Sequence, residues 1–221
     1  MLNRRWMEDH REETTTRDGS IGWKNTVPSD VKIRDQPLRD ISSQGVWTLS
    51  SCKHGYGVNE LLSDNVEKYW QSDGPQPHTI IVEFQKKTDI SFIMLYLDFK
   101  NDESYTPSKI VARMGSSLQD MFFRTSINLQ EPQGWVPIDL RDDKQNPQRA
   151  WYLQIQVVQN HQNGRDTHIR HVRIVGPTRS RFSPESRLLA GEPYGTLILP
   201  PNKEPNFTNY LNSTFAHMNL R

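Results

Sequence analysis

The chain predicts an all-β fold, an antiparallel β-sandwich, and three observations carry that expectation. Short apolar segments rich in β-branched and aromatic residues recur from Leu38 to Val175. Turn signals punctuate them at Gly74-Pro75, Thr106-Pro107, Gly134 and Asn146-Pro147. The last two segments alternate as half-buried strands do, with Ile155 and Val157 against Gln154 and Gln156, then Val172 and Ile174 against Arg173.

Taken in order, residues 1 to 37 are charged and polar, include Thr14-Thr15-Thr16 and Pro28, and show no sustained period, so a mobile extension is expected there. Strands are expected at Val46 to Leu49, Ile80 to Phe84, Ile90 to Leu97, Ile110 to Met114, Trp135 to Leu140, Trp151 to Val158 and Ile169 to Val175. A short helix is expected at Asn59 to Leu62, continuing through Asp64 to Trp70 with Asp64 as a cap and Tyr69 and Trp70 plugging the base of the sandwich. Trp47, Trp70, Trp135 and Trp151 read as core. Trp151 shares its parity with Leu153, Ile155 and Val157, which predicts a loss of ~3 to 5 kcal/mol on truncation to Ala. From Pro177 onward fall six of the fourteen prolines, so no regular sheet is expected there. The organisation is therefore read as an extension (1–37), one sandwich (38–176) and a Pro-rich tail (177–221) ending in Leu220-Arg221.

The 221 residues carry a net charge of +1 with acids and bases interspersed, which excludes the basic footprint of a general nucleic-acid binder. Cys52 is the only cysteine, so no internal disulfide can form, and a reducing compartment is expected. The charged start offers no apolar stretch for a signal peptide or a membrane span, so a protein without membrane contact is expected.

The strongest functional signal is Asn160-His161-Gln162-Asn163-Gly164-Arg165-Asp166-Thr167-His168, a run without one hydrophobic side chain set between two strands. Amides, a guanidinium, a carboxylate and imidazoles on a loop held by a sheet suit recognition of a polar ligand or a peptide backbone. Tyr69 to Gly74 and Lys100 to Ser108 have the same character, and the sequence leaves open whether the three share one end of the sandwich. Catalysis by Asp166 and His168 on Ser104 or Cys52 is not supported, because no nucleophile-elbow pattern surrounds either candidate. A metal held by His161, Asp166, His168 and His171 is disfavoured too, since the spacings match no ligand pattern and no Cys partner exists. No cofactor is expected.

Four ordered blocks resemble the signature of one family. They are Val46-Trp47-Thr48-Leu49-Ser50-Ser51-Cys52-Lys53, Tyr69-Trp70-Gln71-Ser72-Asp73-Gly74, Asp102-Glu103-Ser104-Tyr105-Thr106-Pro107-Ser108-Lys109-Ile110, and Asn160 to His168. They look like the DOC domain of the tenth subunit of the anaphase-promoting complex, over about residues 38 to 175. The terminal Leu220-Arg221 is similar to the Ile-Arg end by which that family docks on tetratricopeptide-repeat subunits, with Leu in place of Ile. The long N-terminal extension and the Pro-rich segment after Gly176 depart from the family's pattern.

The resemblance implies a jelly roll of the galactose-binding-like type and a non-catalytic subunit of a ubiquitin ligase. Acting with the propeller coactivator, such a subunit is a co-receptor for the destruction-box degron of cell-cycle proteins and supports processive ubiquitination in nucleus and cytoplasm. Carried over, the degron-facing positions are Ser104, Asn163 and His168; chemistry adds Tyr105, Arg165 as a partner for an acidic group, and Asp166 to orient Arg165 or hold the loop. The rival reading is a carbohydrate-binding β-sandwich module, which the fold alone does not separate from this one.

Overall fold

The computed structural model describes residues 22–27 and 37–178, and builds eleven strands. These are β1 (Leu38–Asp40), β2 (Gly45–Leu49), β3 (Trp70–Gln71), β4 (His78–Ile90), β5 (Phe92–Asp98), β6 (Pro107–Gly115), β7 (Met121–Asn128), β8 (Gln133–Asp139), β9 (Gln148–Asn160), β10 (His168–Ile169) and β11 (His171–Pro177). One sheet has the order β1-β11-β5-β8 and the other β2-β4-β9-β6-β7, while β3 and β10 form a two-stranded ribbon. Every pairing is antiparallel. The expected all-β sandwich is the fold.

Alternation sets what lies between the sheets. Ile80, Val82 and Phe84 from β4, Leu153, Ile155 and Val157 from β9, and Ile110, Ala112 and Met114 from β6 face Ile93, Leu95 and Leu97 from β5 and Val172 and Ile174 from β11. All are essentially removed from water, and each of the larger side chains contributes roughly 1.5–3 kcal/mol by burial, Ala112 less. Within the segment read as an extension, Trp23 is buried against Phe92, Met94 and Val175. No periodicity announces that contact, because it rests on one aromatic in a polar stretch.

Three expectations are corrected. The helix is a single turn, Val58–Leu61, started where the Glu60 carboxylate accepts the Gly57 N–H at 2.8 Å. Asp64 caps nothing and instead pairs with Arg173, while Asp64 to Lys68 form turns and Trp70 opens β3. A strand was missed: β7, in which Gly115 pairs with Met121 and Met114 with Phe123, so Phe122 is an extra, bulged residue left 53% exposed. The doubled Phe122-Phe123 hides the alternation of the rest of that strand.

The third correction is Trp151, which is 39% exposed and outside the core. The β4–β9 register jumps from Glu83↔Tyr152 to Thr88↔Ala150, and this irregularity breaks the period, so that Ala150 is the buried residue beyond it. Trp151→Ala is therefore expected to cost about 1 kcal/mol or less, in place of the ~3 to 5 of a buried aromatic. A thermal melt checks this: a Tm drop within about 4 °C fits, and one above about 8 °C would put Trp151 back in the core.

Candidate functional site

Three polar segments meet at one end of the sandwich, settling the question the sequence left open. The first follows β5: a helical turn, Phe99–Asp102, runs into the 3-10 turn Glu103–Tyr105. The second follows β9: the 3-10 turn His161–Asn163 leads to Gly164 and on to β10. The third leaves β3, whose Gln71 pairs with His168.

Gly164 is the point of closest approach. A Cβ there would lie 1.8 Å from the Ser104 carbonyl oxygen, so no side chain fits between the two turns. Around it the backbone carbonyls of the second segment are held by side chains. The Asn160 amide donates to Gly164 O at 3.2 Å and Asp166 O at 2.8 Å, and the Gln76 amide donates to Gly164 O at 3.0 Å. His78 Nε2 lies 2.6 Å from Arg165 O, where only a protonated nitrogen can donate. Thr167 N–H donates to Ser72 Oγ at 2.9 Å, and Thr167 Oγ1 donates to the Tyr105 carbonyl at 3.2 Å. His161 accepts the Glu131 N–H at Nε2 (3.3 Å) and lies 3.0 Å from Thr106 O at Nδ1, a pair of partners that fits one neutral tautomer with the proton on Nδ1. The frame is tied at many points, and it holds Glu103 (φ 43°), Gln162 (φ 51°) and Asn163 (φ 56°) in left-handed conformations unusual for residues other than glycine.

Beneath the loops lies a ring stack that the sequence reading did not foresee. The His168 imidazole sits between Tyr69, at 4.3 Å between centroids, and Tyr105, at 4.2 Å and 11° from parallel. Tyr56 extends the stack, 5.0 Å from Tyr69. His168 Nδ1 is 3.1 Å from Asp102 Oδ1, and the same carboxylate takes Arg170 Nε at 2.8 Å and Arg170 Nη2 at 2.9 Å. Asp102, His168 and Arg170 are all buried. Burial opposes ionisation of Asp102, yet the hydrogen bonds from His168 and Arg170 and the guanidinium charge outweigh it and hold its carboxyl below the usual carboxylate range. Burial and the neighbouring Tyr56 raise the Tyr69 phenol above its usual value.

The six candidate residues of the loops are thus gathered at one end but differ in what they present. Asn163 and Arg165 are exposed, Tyr105 is 39% exposed, and Ser104 and Asp166 are half-buried. The Arg165 guanidinium has no ion pair among the described residues and stays available for an acidic group. Asp166 holds the loop, with Ser72 Oγ 3.4 Å from its carboxylate. His168 is inside, so it shapes the surface through Tyr105. Asp102 and Arg170 were missed as site residues. The available signal was Arg170 itself, a cation between Ile169 and His171 in an apolar run, which requires a buried anion nearby. Leu220 and Arg221 lie outside the described residues.

His168 pairs with Asp102 and away from any nucleophile, Cys52 is exposed, and among the described residues no three His, Cys, Asp or Glu side chains converge as metal ligands do.

The chain is similar to solved carbohydrate-binding sandwiches. One is a family 32 module of C. perfringens NanJ in complex with galactose, at a TM-score of 0.51 and 13% identity, covering 63% of this chain and 99% of that one. Another is a Streptococcus pneumoniae fucose binding module, with the same score, identity and share of this chain, and 96% of that one. At that identity the likeness shows the galactose-binding-like sandwich and no ligand.

Sequence relatives say more. The Homo sapiens anaphase-promoting complex subunit 10 is 48% identical over 144 residues, 65% of this chain and 78% of that protein. The Caenorhabditis elegans protein of the same name is 37% identical over 199 residues, 89% of this chain and 88% of that one. Saccharomyces cerevisiae anaphase-promoting complex subunit DOC1 is 33% identical over 169 residues, 72% and 68%. The family model described as anaphase-promoting complex, subunit 10 (APC10) matches residues 11–196, and the chain belongs to that family, a subunit with the other subunits of the complex as its partners.

Proposed function

We propose that this subunit is a non-catalytic substrate receptor, which with the propeller coactivator forms a co-receptor for the destruction-box degron and so promotes processive ubiquitination. The observation that carries the reading is the loop end itself: exposed Asn163, Arg165 and Tyr105 on a cross-braced frame, in a chain that belongs to a ligase complex. An amide, a guanidinium and a phenol ring suit an extended peptide, whose backbone needs donors and acceptors and whose acidic side chains need a cation.

Asn163→Ala tests it, because the side chain is exposed and its removal opens no core. Loss of one hydrogen bond worth ~0.5 to 1.5 kcal/mol should shorten the ubiquitin chains added per encounter by about two- to tenfold in a reconstituted reaction, with the melt lowered by only a few degrees because Ala tolerates the φ of 56° less well than Asn. Wild-type processivity would sink the reading. His168→Ala is a poorer probe than its loop position suggests, since it also takes one of the hydrogen bonds from Asp102 and collapses the ring stack.

We also propose that Leu220 and Arg221 dock on a tetratricopeptide-repeat subunit, Leu220 in an apolar pocket and Arg221 through its guanidinium. Deleting both should abolish binding of a tail peptide to that isolated subunit, while only reducing incorporation of the whole chain. A fluorescence-anisotropy titration with no binding of the intact peptide at high micromolar subunit would count against it. The carbohydrate-binding alternative rests on fold alone; specific retention on a glycan array, without association with the ligase, would favour it.

A further inference from the structure

The outward face of the five-stranded sheet carries a like-charge pair that no acid among the described residues answers. On β6, Ile110, Ala112 and Met114 enter the core, which turns Arg113 outward, and on β7 Phe123 and Ile127 pack inward, which turns Arg124 outward. Arg113 and Arg124 stand directly opposite each other in the register. Cross-strand like charges destabilise a sheet, and neither guanidinium has an ion-pair partner among the described residues. Arg113 Nε is buried with no hydrogen bond at all. The nearest outward side chain across β6 on the other flank, Gln154, is neutral, and the acid further along the face, Glu83, is engaged by Tyr152 Oη at 2.7 Å.

Two residues along the same strands, where Gly115 pairs with Tyr152, the face opens into a cavity of about 360 Å³ lined by Val46, Glu83, Gln85, Ser116, Trp151 and Tyr152. Val46 is 59% exposed there, beside the exposed Trp151 ring. A cationic pair next to an exposed aromatic cleft has the composition of an interface core, where Arg, Trp and Tyr are the usual anchors.

We infer that this face is a docking surface for an acidic segment of another subunit of the complex, whose carboxylates lie between Arg113 and Arg124 and whose apolar anchor enters the Trp151 cavity. Charge complementarity selects the occupant. The inference rests on membership of the complex, and it is independent of substrate recognition, because the face and the loop end use different residues.

The test is competition of full-length variants with wild type for incorporation into ligase complex lacking this subunit, read as occupancy, together with the melt of each isolated chain. Arg124→Glu should lower incorporation about tenfold and leave Tm equal or higher, because Glu opposite Arg113 replaces repulsion by attraction. Arg124→Gln should give a smaller loss, and Trp151→Ala a loss without a large drop in Tm. Should Arg124→Glu melt early, Arg124→Gln and Trp151→Ala decide alone. Wild-type occupancy of the decisive variants overturns the inference. So does a result in which Arg124→Glu enters the complex normally but loses binding of DNA or anionic vesicles that wild type shows. Because occupancy is read before any substrate is added, failure here and failure of the degron reading are distinguishable.

Discussion

Replacing Asp102 with Asn is expected to cost ~3 to 5 kcal/mol, the range for breaking a buried ion pair by removing one partner. Arg170 is 7% exposed, and without the carboxylate its remaining charged partner is a marginal 4.0 Å contact with the exposed Glu67, beside Val66 O at 2.9 Å and the Tyr69 ring 5.6 Å away. The amide keeps an oxygen for His168 Nδ1 but loses the charge, and its NH2 group replaces the Oδ2 that accepts from Arg170 Nε, so a donor faces a donor. Against a total stability of 5–15 kcal/mol the loss is large, and urea denaturation reads it directly. A cost below about 1 kcal/mol would show that Arg170 reaches water.

The pH dependence offers an independent check with a defined sign. The Asp102 carboxyl is depressed in the fold, so the unfolded chain binds the proton more readily. Its contribution is complete above the usual value near 3.8 and is lost as pH falls through the folded value. Asp102→Asn should flatten the acid limb of stability in that window and leave the slope above it unchanged.

The sandwich was legible because β-branched residues alternate over whole strands such as Ile80 to Phe84 and Leu153 to Val157, and burial of one face fixes that period. It failed where the period breaks: Phe122 and Trp151 both sit at register shifts, which depend on how a partner strand is paired. The loop end was legible from composition, since nine polar residues between two strands have to be a loop. The stack of Tyr56, Tyr69, His168 and Tyr105 was not, because its members are brought together from four separate segments and no spacing within any of them encodes the meeting.

Trp70→Ala is the second large effect expected, at ~3 to 5 kcal/mol. The indole is fully buried among the core residues, and its Nε1 donates to the Ser51 carbonyl at 3.0 Å. Trp70 also pairs with Ile169, so the cavity would form directly beneath the ribbon that carries His168. Soluble yield and Tm should both fall, and Trp70→Phe should recover most of the loss, short of roughly 1 kcal/mol for the missing hydrogen bond. Equal melts for Trp70→Ala and wild type would remove this ring from the core.

The sandwiching of His168 has a spectroscopic consequence. A carbon-bound imidazole proton held over the face of one phenol and under the face of another is shielded by both ring currents, so the His168 side chain should resonate upfield of the other histidines. Tyr105, the outer of the two rings, is 39% exposed, and anything that rests on it and tilts it alters the magnetic environment of the imidazole stacked 4.2 Å beneath it. The buried imidazole is thus a built-in optical lever for the loops above it, readable by proton–carbon correlation on the unmodified chain.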